Sequence, residues 1–583
     1  MGGYLAVSHT GKGDSADLST TLRERAIEKG LAIIDLSPGA WLGVFGPRPP
    51  RTLAVGSWML VGDVFNRASH DAMSSAGDSY EHKMMARFWG RYIGLRLDGQ
   101  GAIDAALRDP SGALECATWS QSGVTFVTSE PPAWLFDLVL PEWSIRFERI
   151  RDLLQDTLSV WCELPIDGPM ALVPGTCQPL RPPAPAIVLW RPADFALRGA
   201  NAPMDDTRAQ CALTSAVDES VAGFVSLGVP LAAEVSGGLD SSIVAASLAR
   251  SPGADVRLWL NAYGPDRGAD ERSFARALAE KLKIAPTYVS RTPGLITEEG
   301  LLSISRHLRP GLNALDVAHD RAWADLFRGA GVQAAMTGKG GDTVFVQTAT
   351  ADVFSDLWRA RGWRAAMSPS LPRLARWNER SVWSLLGQAR RSRRDGARFI
   401  RPENRLLGAR DPHVEAATHP WINDGEGLGP AKLYQIAGLA NGLTFQAPSA
   451  QTEAVDLFHP LLAQPVVELC LALPTPQLTL GRRDRALARR AFAHRLPAEI
   501  VERRSKGEMT AFYGRMIANS LDVLRPWLLD GILARERILD REAAERLLTP
   551  EHLIWRGGYG EIMIAAAVEG WLRVWTSRLS GSA

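Results

Sequence analysis

From residue 230 the chain alternates short apolar runs with helical ones. "PLAAEV" reads as a strand, "DSSIVAASLAR" as a helix, "DVRLWLNAYG" as a strand, "DERSFARALAEKL" as a helix and "APTYVS" as a strand. Further on, "VQAAMTGKGGD" supplies another strand ending in a glycine turn. Runs of these lengths in this order predict a parallel sheet with helices on its faces, because each parallel pair needs a crossover. From about residue 350 the pattern is mainly helical, and no internal repeat is present.

In open parallel sheets ligands bind beyond the carboxyl ends of the strands, and "EVSGGLDSS" sits at such an end. Glycines there let backbone approach a phosphate, and the following helix offers N–H groups at a positive dipole end. Ser236, Ser241 and Ser242 add hydroxyls. The Lys-Ser/Thr pair that closes a Walker loop is missing. Asp240 would repel phosphate unless a cation lay between them, a task that suits Mg2+. A second carboxylate, Asp342, follows the turn in "TGKGGDTVF". Alone it reads as an ordinary helix cap; beside the first loop it becomes a candidate metal ligand.

Residues 1 to about 180 read as β-rich: "TLAVGSWMLVGDVF" and "SGVTFVTS" as strands, "YEHKMMARFWGRYIGLRLD" as a helix running into a strand. "LRDPSGALECATW" reads as a strand, a tight turn at Asp109-Pro110-Ser111-Gly112 and a return strand. The Pro-rich "QPLRPPAPAIVLWRP" suits an extended linker. At 583 residues one hydrophobic core does not suffice. The expected division is therefore 1–185, a linker at 186–205, and 206–583. An Arg-rich insertion at about 355–410 has two readings, a solvated helical excursion or a docking surface for an acidic peptide. A net charge of +1 argues against nucleic acid as the main partner. Five scattered cysteines (Cys116, Cys162, Cys177, Cys211, Cys470), no signal-peptide pattern and no apolar run of membrane-spanning length predict a cytoplasmic protein with no membrane span.

The string S-G-G-L-D-S-S resembles the pyrophosphate-binding loop of the ATP pyrophosphatases. Together with the Gly-Asp turn and "DLFHPLLAQPVVELCLALP" it is similar to the asparagine synthetase superfamily. "LVGDVFNR", "RFWGRYIGLRLD" and "LRDPSG" resemble the glutaminase-like domain of those proteins. The resemblance implies an N-terminal degenerate glutaminase-like (Ntn-type) β-sandwich. After it comes an ATP-pyrophosphatase-type parallel-sheet domain with helical additions. It further implies ATP and Mg2+ as cofactors. The nucleotide would lie on Val235, Ser236, Gly237, Gly238, Asp240, Ser241, Ser242, Ala262, Thr337, Gly338, Gly340, Gly341 and Lys506, with Asp240 and Asp342 on the metal.

Asparagine synthetases release ammonia from glutamine with an N-terminal cysteine, where this chain has Gly2 and Gly3. Without a thiolate there is no covalent glutaminase step, so the amine belongs to the substrate. Members lacking that cysteine include β-lactam synthetases and lasso peptide cyclases. The Gly-Gly-Asp turn and "GRRDRALARRAFAHRLPAEIVERRSKG" resemble the cyclase branch, whose active-site lysine falls on Lys506. The β-lactam synthetases carry a catalytic Tyr where this chain has Lys339, which leaves the general base open between Glu453 and others. The implied reaction is adenylation of an Asp or Glu side chain of a precursor peptide, then attack by its α-amine to close a macrolactam. A leader peptidase is the expected partner. The alternatives are a small-molecule amide ligase, β-lactam synthetase-like or ammonia-dependent, and a non-catalytic nucleotide-binding scaffold.

Overall fold

The computed structural model describes all residues except 1, 12, 68–78, 140–141, 202–203, 266–269, 313–315, 348–349, 397–403, 409–417, 505–509, 557–558 and 582–583. Its N-terminal part is built on two six-stranded antiparallel sheets. One is centred on Gly3–His9 and the other on Phe88–Leu97. Period-two alternation makes the sandwich. Tyr4 and Ala6 point between the sheets against Val61, Ile93 and Ala106, while Leu5 and Val7 face the opposite side.

Two expectations for this part are corrected. The turn at Asp109–Gly112 forms, with Gly112 N–H donating to Asp109 O at 3.2 Å. The strand after it, Ala117–Gln121, belongs to the other sheet, however, and is no hairpin return for Ile103–Arg108. The buried Arg108 guanidinium explains the crossing. It donates to the carbonyls of Gly112, Leu114 and Leu172 at 2.8–2.9 Å and so satisfies the backbone of the passing segment. Residues 186–205 are not an extended linker either. Ile187–Val188 pairs with Thr176–Pro179 at a sheet edge, where missing proline N–H groups cost least. Pro192–Asn201 is a helix with proline at its first position, where proline is favoured.

The C-terminal part carries a five-stranded, wholly parallel sheet. We number its strands β1 (Leu231–Glu234), β2 (Val256–Tyr263), β3 (Pro286–Ser290), β4 (Ala334–Met336) and β5 (Asp456–Phe458). Their spatial order is β3-β2-β1-β4-β5. Order reverses between β1 and β4, so the loops leaving those two strands open side by side at the carboxyl edge. Strand β5 hides in a three-residue run too short to show periodicity. Helix α1 (Leu239–Leu248) follows β1 and is buried along its whole length. Its small Ser and Ala side chains allow that close packing. Among the described residues, no helix is long and apolar enough to cross a membrane.

Candidate active site

The loop after β1 folds on its own hydroxyls. Ser236 Oγ lies 2.8 Å from Ser241 Oγ and accepts from Gly238 N–H at 3.2 Å, while Ser242 Oγ donates to Gly238 O at 2.7 Å. Gly237 adopts φ +82°, and a Cβ there would lie 2.9 Å from Phe274 Cβ. Only glycine takes both that conformation and that space cheaply. Val235 is buried just past β1, and its carbonyl accepts from Asn261 Nδ2 at 2.7 Å. Ala262 lies on β2, paired with Val289 of β3.

The loop after β4 presses against the first. A Cβ on Gly338 would stand 2.2 Å from Ser241 N, and one on Gly341 would stand 2.5 Å from Asp240 Cγ. The glycines of "TGKGGD" therefore allow two backbones to touch. Gly340, at φ +90°, packs on Leu462. Thr337 Oγ1 meets His459 Nδ1 at 2.8 Å, which pins the ends of β4 and β5 together. Burial and the nearby Lys339 ammonium push His459 down to about 3, so its ring is neutral at ordinary pH.

Asp240 and Asp342 converge, but on an arginine the sequence reading missed. Arg485 Nη1 donates to Asp240 Oδ2 and to Asp342 Oδ1, both at 2.8 Å. A third carboxylate, Asp484, accepts from Arg485 Nε at 2.8 Å and from Arg489 Nη2 at 3.2 Å. Burial acts against the Arg485 charge, but the attraction of Asp240, Asp484 and Asp342 outweighs it and raises its pKa. Arg503 ties the rim: it donates to Gly237 O at 3.2 Å, pairs with Glu271 and lies over the Phe274 ring at 4.0 Å. "GRRDR" gives no sign of which arginine turns inward. The left-handed φ of +47° at Arg485 that aims it is visible only in the fold.

A pair of carboxylates thus shares one cation beside a glycine loop, where the strand order reverses. The family model described as asparagine synthase matches residues 212–573. The chain belongs to the asparagine synthase family. No curated protein matches it. Members of this family are ATP-dependent ligases that form C–N bonds, so the chain carries ATP-dependent amide ligation in general.

Lys506 lies outside the described residues. Glu453 is exposed on the short helix Ala450–Ala454 and, among the described residues, shares no hydrogen bond or ion pair with Asp240 or Asp342. It lines an interdomain cavity of about 350 Å³ together with Gly2, Gly3, Glu115, Trp161 and Arg309. Among the described residues, no cysteine lines that cavity. A Cβ on Gly2 would stand 2.0 Å from Phe45 O. Burial pushes the thiols of Cys116, Cys162, Cys177 and Cys470 up to about 12, which makes them poor nucleophiles. Among the described residues, no group of three or more His, Cys, Asp or Glu could hold a metal.

Proposed function

We propose that this asparagine synthase family member is a lasso peptide cyclase. It adenylates an Asp or Glu side chain of a precursor core peptide with ATP, then joins it to the peptide's α-amine and releases pyrophosphate and AMP. The observation that carries the ligase part is the pair Asp240–Asp342 held within reach of one cation between two glycine loops. The donor set suits Mg2+, which binds one or two carboxylates plus phosphate oxygens, and the guanidinium between them already marks the place as one for positive charge. When bound there, Mg2+ would neutralise charge on the leaving pyrophosphate. Asp240 and Asp342 would hold it, freeing Arg485 to face phosphate. The Ser236, Ser241 and Ser242 hydroxyls and the Gly237–Gly238 backbone would cradle the pyrophosphate. Val235, Ala262, Thr337, Gly338, Gly340 and Gly341 would wall the nucleotide. Lys506 would stabilise developing negative charge on the α-phosphate or acyl oxygen.

The choice of an amine carried by the substrate is supported by the lack of room for a side chain at Gly2 and by the thiols held protonated. The choice of a peptide rests on the resemblance of "GRRDRALARRAFAHRLPAEIVERRSKG" to the cyclase branch. A precursor peptide and a leader peptidase are the partners this reading implies, in the cytoplasm. One observation favours a second reading. The 350 Å³ cavity is of a size that suits an amino-acid-like substrate, which would make the chain a small-molecule amide ligase.

The test uses a synthetic core peptide with Mg2+ and ATP, following pyrophosphate release and peptide mass. Cyclisation removes one water from the peptide. Pyrophosphate release with free amino acids but not with the peptide would reject the cyclase reading in favour of the small-molecule one. Full activity of Asp240→Ala or Asp342→Ala would reject the metal assignment.

A further inference from the structure

The Arg- and Trp-rich stretch has no part in that chemistry. Residues 353–396 hold ten arginines against three carboxylates and no lysine, in a chain whose net charge is only +1. They fold into a lobe of three helices, α2 (Val353–Arg361), α3 (Ser370–Trp377) and α4 (Val382–Asp395), with a 3-10 turn, Gly362–Met367, after α2. The apolar faces turn inward: Phe354, Leu357, Leu374, Leu385 and Ala389 are buried. Left outside are Trp383 (77% exposed), Met367 (68%) and Trp363 (66%). Large exposed aromatics rimmed by guanidinium groups are what interface anchors look like before a partner arrives.

Of the arginines, Arg359 donates to Gly427 O at 3.2 Å and Arg390 lies over the Trp358 ring at 5.9 Å. Arg394 pairs with its neighbour Asp395 and Arg380 donates to Gln388. Arg361, Arg364, Arg373, Arg376, Arg391 and Arg393 make no ion pair among the described residues. Gly362 reverses the chain at φ +58°, and Arg393 Nη1 lies 3.8 Å from where its Cβ would stand. That contact brings the Arg393 guanidinium to Gly362, the residue between Arg361 and Trp363. The inner side of the lobe packs against Gly481 and Arg483, just ahead of Arg485. Trp377 lies under Arg483 at 5.1 Å, and Ser370 fills the space of a Gly481 side chain, two contacts on the segment that delivers Arg485.

We infer that this lobe docks an extended acidic segment of a partner polypeptide and holds it beside the ligase site. Arginine without lysine suits planar, bidentate pairing with carboxylates, and the tryptophans suit the apolar residues between them. A long polyanion is disfavoured: with so much positive charge gathered here, the rest of the chain is net negative and repels whatever runs past the lobe. A membrane is disfavoured because the apolar helix faces are spent on each other and offer no continuous stripe to insert.

The experiment measures fluorescence anisotropy of a short fluorescein-labelled peptide of Glu and Asp interspersed with Ala and Leu, against the full chain near physiological salt. The amide counterpart (Gln and Asn for the acids), a single-stranded oligothymidylate and phosphatidylcholine/phosphatidylglycerol vesicles are run alongside. We expect saturable binding of the acidic peptide only, weakened at least about tenfold by Arg361→Glu with Arg393→Glu. Trp363→Ala should weaken it without changing its salt dependence, and Arg393→Lys should weaken it although the charge is kept. Thermal melts of the variants should match the wild type, since these side chains are exposed. Absence of saturable binding, equal binding by the charge-reversed protein, or tighter binding of the oligonucleotide or vesicles through the same residues would overturn the inference. Pyrophosphate release with an unextended substrate reports the ligase chemistry separately, so docking and chemistry can fail independently.

Discussion

At the scale of single residues, the removal of Arg485 tests what the Asp240–Asp342 pair is for. In Arg485→Met two facing carboxylates lose the cation between them; because the Asp342 side chain is 37% exposed, the loss should be smaller than the about 3–5 kcal/mol of a fully buried pair. We expect a lower melting temperature, partly restored by millimolar Mg2+ to a greater extent than in the wild type. Melts with and without Mg2+ check this without any substrate, and an unchanged response to Mg2+ would count against a metal at these carboxylates. A second residue-level test concerns Gly338, whose added Cβ would stand 2.2 Å from Ser241 N. Because the obstacle is backbone, Gly338→Ala should cost about 1–3 kcal/mol and prise the two loops apart. Calorimetric titration with ATP should then show weakened binding in a protein that still folds. The two aspartates were legible beforehand because glycine turns at strand ends restrict what can follow them. Arg485 was not, since its role depends on a left-handed backbone and on a partner pair more than a hundred residues away.

Among the elements, β1 to β4 could be read from the succession of strand-like and helical runs, while β5, no shorter than β4, could not, because the chain leading into it is mainly helical. The crossing after Arg108 was equally hidden, since a tight turn reads the same whether the chain returns to its sheet or leaves it. The Pro-rich run misled for a related reason: proline forbids a central strand but not an edge or a helix start. The latch between β4 and β5 carries a pH prediction. His459 titrates near 6.5 when unfolded and at about 3 in the fold. Between those values the unfolded chain binds a proton that the fold refuses. The stability it contributes is thus fully present above about 6.5 and lost as pH falls toward about 3. Compared with His459→Gln, the wild type should lose up to about 2 kcal/mol more between pH 7 and pH 5. Urea unfolding at the two pH values measures the difference. A loss of equal size in both proteins would mean that the ring's neutrality does not matter to the fold.

For the whole molecule, the question is how the β-sandwich is fastened to the ligase sheet. Asp63 of the sandwich and Asp456 at the head of β5 share two arginines. Arg48 donates to Asp63 at 2.7 and 2.9 Å and also pairs with Asp456. Arg91 pairs with Asp63 and donates to Asp456 at 3.3 Å and to Leu457 O at 3.2 Å. Although burial opposes ionisation of Asp63, the Arg91 and Arg48 charges hold it down to about 2. A second fastening joins Arg67 to Glu468 at 2.7 and 2.8 Å, with Trp190 Nε1 donating to the same carboxylate at 2.9 Å. None of this was legible beforehand, because each charge taken alone reads as solvated surface. The first cluster reaches the sheet at β5, whose far end holds His459 against Thr337 in the loop beside Asp240. Asp456→Asn leaves two buried guanidinium groups to one carboxylate and should cost about 3–5 kcal/mol. The cost should fall on the junction, since Asp456 and its two arginines sit where the sandwich meets β5. In urea, with tryptophan fluorescence and far-ultraviolet circular dichroism recorded together, the variant should therefore separate into two transitions. ATP binding should weaken before the first of them is complete. Coincident transitions at the wild-type midpoint would mean that the Arg67–Glu468–Trp190 contacts and the packing of Phe65 and Trp89 on Phe224 suffice to join the two parts.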